Sequence, residues 1–90
     1  MSMGQIVMTA GVNNLVADND SFAKFVCQSL RRHCHNDWGE LGQEDKTAND
    51  QALKDGDRLF SAYKSEGQPK VWIITEADRS ATTVLFPEEY

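Results

Sequence analysis

Several things are scarce in this chain. Two cysteines among 90 residues are too few for a disulfide framework, so Cys27 and Cys34 read as reduced thiols of a cytoplasmic protein. No stretch approaches the ~18 consecutive apolar residues of a membrane span. No Lys or Arg precedes Lys24, which argues against a secretory leader. Neither a membrane nor an extracellular setting is therefore expected. Positive charge is also short: nine Lys and Arg stand against 14 Asp and Glu, a formal net charge of −5. A generic nucleic-acid binder needs a basic footprint, and Arg31–Arg32 with scattered lysines does not supply one. The length excludes a full dinucleotide-binding domain, and no cofactor is expected.

What remains is an ordinary globular mix, 40% hydrophobic and 26% charged, sized for one domain over residues 1–90. The charge is segregated. Between residues 36 and 57 lie Asp37, Glu40, Glu44, Asp45, Asp50, Asp55 and Asp57 against only Lys46 and Lys54, so this segment carries the whole −5. Such a face solvates the protein, or meets a partner protein with a basic surface.

Gln5–Met8 is a short apolar run, residues 1–8 are either an extension or an edge strand, and Met1, Met3 and Met8 are all plausible starts. Thr9 can cap a short helix carrying Val12, Leu15 and Val16. Phe22, Phe25, Val26 and Leu30 recur at helical spacing and predict an amphipathic helix over about 21–33. Trp38 and Leu41 should anchor a glycine-bearing loop at 36–42. A second helix over about 43–55 offers only Ala48, Ala52 and Leu53 as a buried stripe, and Gly56 ends it. The period then changes to that of strands at 58–63, 71–75 and 81–86, joined by short turns. These make a three-stranded C-terminal antiparallel meander with two or three helices over one face, an α+β protein. The last strand, if it is an exposed edge, offers a route to a homodimer.

Three groups could carry chemistry. His33, Cys34 and His35 with Cys27 are metal-ligand types, but adjacent residues of a helix diverge and the paired spacing of zinc sites is missing, so no metal is expected. A metal-independent ribonuclease would need an acid or base, for which His33 and Glu76 are available, and cations for phosphate, for which Arg58 and Arg79 are. Arg58, Phe60 and Ala62 share one strand face and Leu59, Ser61 and Tyr63 the other; either face could be the buried one. The run Thr75–Ser80 with Thr82 and Thr83 is dense in hydrogen-bonding groups and also reads as a plain hairpin turn.

Over residues 31–90 the chain resembles a family of short bacterial proteins of unknown function. They are found on plasmids and in genomes, are often labelled plasmid-related protein, and are sometimes loosely called type I restriction endonuclease subunit M. The likeness rests on His33, Asp37-Trp38-Gly39-Glu40-Leu41, Glu44-Asp45, Asn49, the segment Asp57–Tyr63, and above all the block from Trp72 to Tyr90. The N-terminal third departs from the family, and Cys34-His35-Asn36 replaces small residues. A methyltransferase subunit is far larger than this chain, so that label describes no activity here. The predicted element order is also similar to that of small ribonuclease toxins, with Arg58, Arg79 and Tyr90 as candidate functional residues, although such toxins are usually basic.

The expectation is therefore a small non-catalytic acidic protein that binds another macromolecule, a protein with a basic surface, in a plasmid or mobile-element setting. It would be an accessory or inhibitor of a defence or restriction system. Asp37, Trp38, Glu44, Asp45, Asn49, Tyr63, Asp78 and Arg79 are its candidate binding residues. The alternative is a toxin-type ribonuclease using His33, Glu76, Arg58 and Arg79.

Overall fold

A computed structural model describes all 90 residues, Met1–Tyr90. The element order is β1 (Gln5–Met8), α1 (Ala10–Asp18), α2 (Asp20–Cys34), α3 (Gln43–Asp55), β2 (Leu59–Tyr63), β3 (Val71–Thr75), β4 (Ala81–Leu85) and a terminal 3-10 turn at Pro87–Glu89. The protein is α+β, three helices on a four-stranded mixed sheet of order β1-β4-β3-β2. The meander β2-β3-β4 is antiparallel as the sequence predicts.

β1 is a strand of this sheet and not an extension. It pairs parallel to β4, Gln5 beside Ala81 and Met8 beside Val84, so the sheet is mixed. β4 consequently lies inside the sheet, and the expectation that the last strand forms an exposed edge is corrected: the edges are β1 and β2. Gly4 makes the pairing possible. Its φ is +60°, and a Cβ there would fall 2.4 Å from the carbonyl oxygens of Arg79 and Ser80. Only glycine lets the chain pass so close. The first residues are tied in as well, since the Met1 ammonium donates to the Cys34 carbonyl at 3.1 Å.

α2 forms because Phe22, Phe25, Val26, Ser29 and His33 fall on one face, all of them buried. Asn19 caps it by accepting from the Phe22 N–H, and Arg31, Arg32 and His33 occupy its last turn. α1 is capped from the other end of the chain. Thr9 makes no cap bond to its own helix; its hydroxyl donates to Glu89 Oε1 at 2.6 Å, while Glu89 Oε2 accepts from the Gly11 N–H at 3.1 Å. The Thr9 hydroxyl and the Phe86 and Gly11 amides hold the Glu89 carboxyl below its ordinary range. A carboxylate suits a helix N-terminus, and here it docks the C-terminal turn onto the start of α1.

Alternation settles which sheet face the helices cover. Leu59, Ser61, Tyr63, Val71, Ile73, Thr75, Thr82 and Val84 face them and are buried. Val12, Phe22, Phe25, Val26, Tyr63, Val71, Ile73 and Val84 form one core cluster. α3 matches its expected limits but not its expected stripe. Its buried residue is Asn49, Ala52 and Leu53 are only half-buried, and Ala48 is exposed. The helix ends in Gly56 at φ +77°, the left-handed position glycine favours.

Candidate functional site

His33 is the polar centre of the core. It has 0% exposure. Its Nδ1 lies 2.6 Å from Ser61 Oγ and its Nε2 2.8 Å from Thr75 Oγ1; Thr75 Oγ1 lies 2.8 Å from Thr82 Oγ1, which donates to the Met3 carbonyl at 2.7 Å. The terminal carbonyl can only accept, so the direction of the whole chain is assigned. Thr82 gives its proton to Met3, Thr75 donates to Thr82, His33 donates from Nε2–H to Thr75, and the neutral Nδ1 accepts from Ser61. Burial, with the N-terminal ammonium and Arg79 as lesser contributors, lowers the His33 pKa to about 4. A neutral imidazole with both nitrogens occupied and no surface reaches no substrate. The candidate ribonuclease histidine is thus corrected to a core residue.

The loop after α2 closes over this histidine. Trp38 is buried, packs edge-on against the His33 ring at 5.6 Å, and donates Nε1–H to Asp50 Oδ1 at 2.9 Å. Asp37 pairs with Arg32 at 2.7 Å and accepts from the Gly39 N–H; the hydrogen bond to Arg32 holds its carboxyl below the ordinary range. Arg32 in turn lies 4.9 Å above the Tyr63 ring, and the Tyr63 hydroxyl donates to the Asp37 carbonyl at 2.7 Å. Burial pushes the Tyr63 pKa up to about 12.

Both this loop and α3 serve the outer edge of β2. The Glu40 N–H donates to the Ala62 carbonyl, and the Ala62 N–H to the Trp38 carbonyl. Asn49 accepts from the Phe60 N–H and donates to the Phe60 carbonyl, acting as one residue of an absent strand. An unpaired edge invites association with other chains, and this one is sealed. Asp37, Trp38, Asn49 and Tyr63, singled out as binding candidates, are therefore placed where they build the fold. The hydroxyls that hold His33, those of Ser61, Thr75 and Thr82, are not legible as its partners in the sequence, because hydroxyl residues in strands carry no mark of burial.

The C-terminal candidates gather at the β3–β4 turn. Arg58 pairs with Glu76 at 3.5 Å, both about half exposed. Arg79 donates Nη1–H to the carbonyls of Asp57, Glu76 and Ala77 at 2.7, 3.1 and 3.3 Å. Asp78 accepts from the Ser80 N–H, and its carboxyl is held low by the Ser80 hydroxyl first and the amide second. Arg79 sits at φ +61°, a left-handed conformation that costs a non-glycine residue roughly 1–2 kcal/mol. Its carbonyl contacts offset that cost. Arg79→Gly should accordingly stay within about 1 kcal/mol of wild type, whereas Arg79→Ala, which keeps the strain and loses the bonds, should lose about 1–2 kcal/mol. Urea denaturation of the two variants separates them, and equal losses would refute this account. The structure does not join these arginines to His33 in a cleft.

Two surfaces remain open. The first is the outer side of α3, where Glu44, Asp45 and Asp55 are exposed. The molecule's two side-chain ion pairs, Arg32–Asp37 and Arg58–Glu76, involve none of them. The second is the sheet face away from the helices, where Phe60, Trp72 and Tyr90 stack edge to face at 5.1 and 5.8 Å. They line, with Arg58, Leu59 and Ile74, a groove of about 290 Å³. This groove escapes the sequence because strand alternation leaves both faces plausible.

Fold and surfaces together define a small α+β protein with helices on one face of a mixed sheet, one acidic helix and one bare aromatic sheet face. No family model, curated protein or solved structure matches the chain. No helix is long and apolar enough to cross a membrane.

Proposed function

We propose that the protein is a small non-catalytic binding protein whose acidic α3 face engages a basic surface of another protein, in the plasmid or mobile-element setting that the sequence resemblance implies. Its role there would be as an accessory or inhibitor of a defence or restriction system. The observation that carries the reading is the set Glu44, Asp45 and Asp55, exposed and without ion-pair partners within the chain. Surface carboxylates left unpaired on one side of a molecule steer encounter with a basic partner. The burial of His33 favours binding over catalysis.

Asp50 lies on the same helix but holds Trp38, so charge reversal should spare it. The triple substitution Glu44→Lys, Asp45→Lys and Asp55→Lys is expected to keep the native circular dichroism and to lose about 1–2 kcal/mol of stability, because Glu44 and Asp45 stand in the first turn of α3, where lysines oppose the helix dipole. It should abolish recovery of the partner from host lysate, read by mass spectrometry. Wild-type recovery should weaken as salt rises and survive nuclease treatment. Capture that is indifferent to the triple substitution would overturn the proposal.

A further inference from the structure

β1 is the one sheet edge that nothing covers, and it has the features of a self-complementary surface. Two of the protein's three exposed large hydrophobic residues are neighbours on it, Ile6 at 41% and Val7 at 39% exposure. The strand carries no charge, proline or bulge, the devices that normally blunt an edge. The Gln5 N–H donates to the Ser80 carbonyl at 3.0 Å and the Thr9 N–H to the Val84 carbonyl at 3.1 Å. Odd-numbered residues thus turn their backbone groups toward β4, and by the alternation of a strand Ile6 and Met8 turn theirs outward.

We propose that two copies of the chain pair antiparallel through β1, about a two-fold axis at Val7. In this register Ile6 of one copy stands opposite Met8 of the other, and each such pair exchanges two backbone hydrogen bonds. Val7 meets its own counterpart as the close, non-hydrogen-bonded pair at the centre. Ile6 and Met8 share the helix side of the sheet while Val7 lies on the bare side beside Thr83, so apolar residues meet on both faces.

Charge favours this edge over the β2 side of the molecule. The acidic segment packs against β2, at the opposite end of the strand order. Each chain carries −5, and joining at β1 keeps the two acidic sides as far apart as the molecule allows. The joined sheet would have eight strands, with both aromatic grooves on one face and an acidic helix at either end. Four-residue strands bury less than the roughly 1,200 Å² of a standard stable interface. The dimer is therefore weak and concentration-dependent. This inference does not rest on the proposed partner of α3.

Sedimentation of the wild-type chain between about 1 μM and about 1 mM should show a reversible monomer–dimer equilibrium. Val7→Lys, which sets two ammonium groups face to face, should raise the dimer dissociation constant at least about tenfold. Circular dichroism of this solvent-exposed variant should stay native. Register is tested separately in a Cys27→Ser, Cys34→Ser background. Val7→Cys brings two thiols to a pair with Cα atoms about 4.5 Å apart, within disulfide reach, and should cross-link on mild oxidation, whereas Ile6→Cys should not. A monomer throughout the range, a dimer indifferent to Val7→Lys, or equal cross-linking of both cysteine variants would overturn the proposal. A strand edge reserved for an extended peptide of another protein would give the first of these results.

Discussion

Acidification from pH 6.5 to pH 4 is expected to remove about 3 kcal/mol of stability through His33 alone. The folded protein holds this histidine neutral with a pKa of about 4, against an ordinary value near 6.5 in the unfolded chain. Between those values the unfolded state binds the extra proton, so stability rises with pH. The contribution is fully present above about 6.5 and gone below about 4. The hydrogen-bond chain gives the reason in structural terms. A second ring proton would have to replace the one Ser61 now donates, so the Ser61 hydroxyl would lose its acceptor inside a fully buried site. Urea midpoints measured from pH 7.5 to 4 should fall in wild type much more steeply than in His33→Gln, which does not titrate. Asp37, Asp78 and Glu89, whose carboxyls are held low, lose their contributions only as pH falls below the ordinary carboxylate range, and do so in both proteins. The difference between the two curves isolates His33, and parallel curves would refute the assignment. At pH 7.5, His33→Ala should cost about 3–5 kcal/mol, since it opens a cavity and strands the Ser61 hydroxyl.

Gly39→Ala should be comparably damaging, although it adds one methyl group. Gly39 sits at φ +74°, and a Cβ there would lie 2.0 Å from the Ala62 carbonyl oxygen and 2.7 Å from the Tyr63 ring. Neither can retreat, because one is strand backbone and the other is a core side chain. The loop must lift instead, which breaks the Glu40-to-Ala62 bond, exposes Trp38 and uncovers the β2 edge. A loss of about 3 kcal/mol or more is expected, with aggregation on warming as the edge opens. Gly67→Ala is the control: it has a similar φ of +79° but open space around it, and should lose only about 1 kcal/mol. If the two variants unfold at the same urea concentration, the close approach is not what fixes glycine at position 39.

In the sequence alone, Asp37-Trp38-Gly39, His33 and Glu89 fit function as well as folding. Their geometry shows folding in each case. His33 and Trp38 fill the core, Gly39 admits a close backbone approach, and Glu89 caps a helix that begins near the other end of the chain. The acidic residues of α3 are the exception. Glu44 and Asp45 suit the first turn of their helix and Asp55 accepts from Gln51, but none of the three has an ion-pair partner, which is why they carry the proposed function.

Periodicity and end signals in the sequence determined the local elements. The helix over Phe22–Leu30, the helix ended by Gly56 and the three C-terminal strands all lie within a residue or two of where spacing, caps and β-branched runs put them. So did the acid bias of residues 36–57, since charge needs no fold to be counted. Tertiary structure alone decided three things. It chose which sheet face to bury, because alternation is symmetric until helices pack on one side. It placed β1 beside β4, because a parallel partner more than 70 residues away leaves no local trace. And it turned His33, Asn49 and Arg79 from candidate site residues into structural ones, because a polar side chain reveals its role only when its hydrogen-bond partners arrive from elsewhere in the chain.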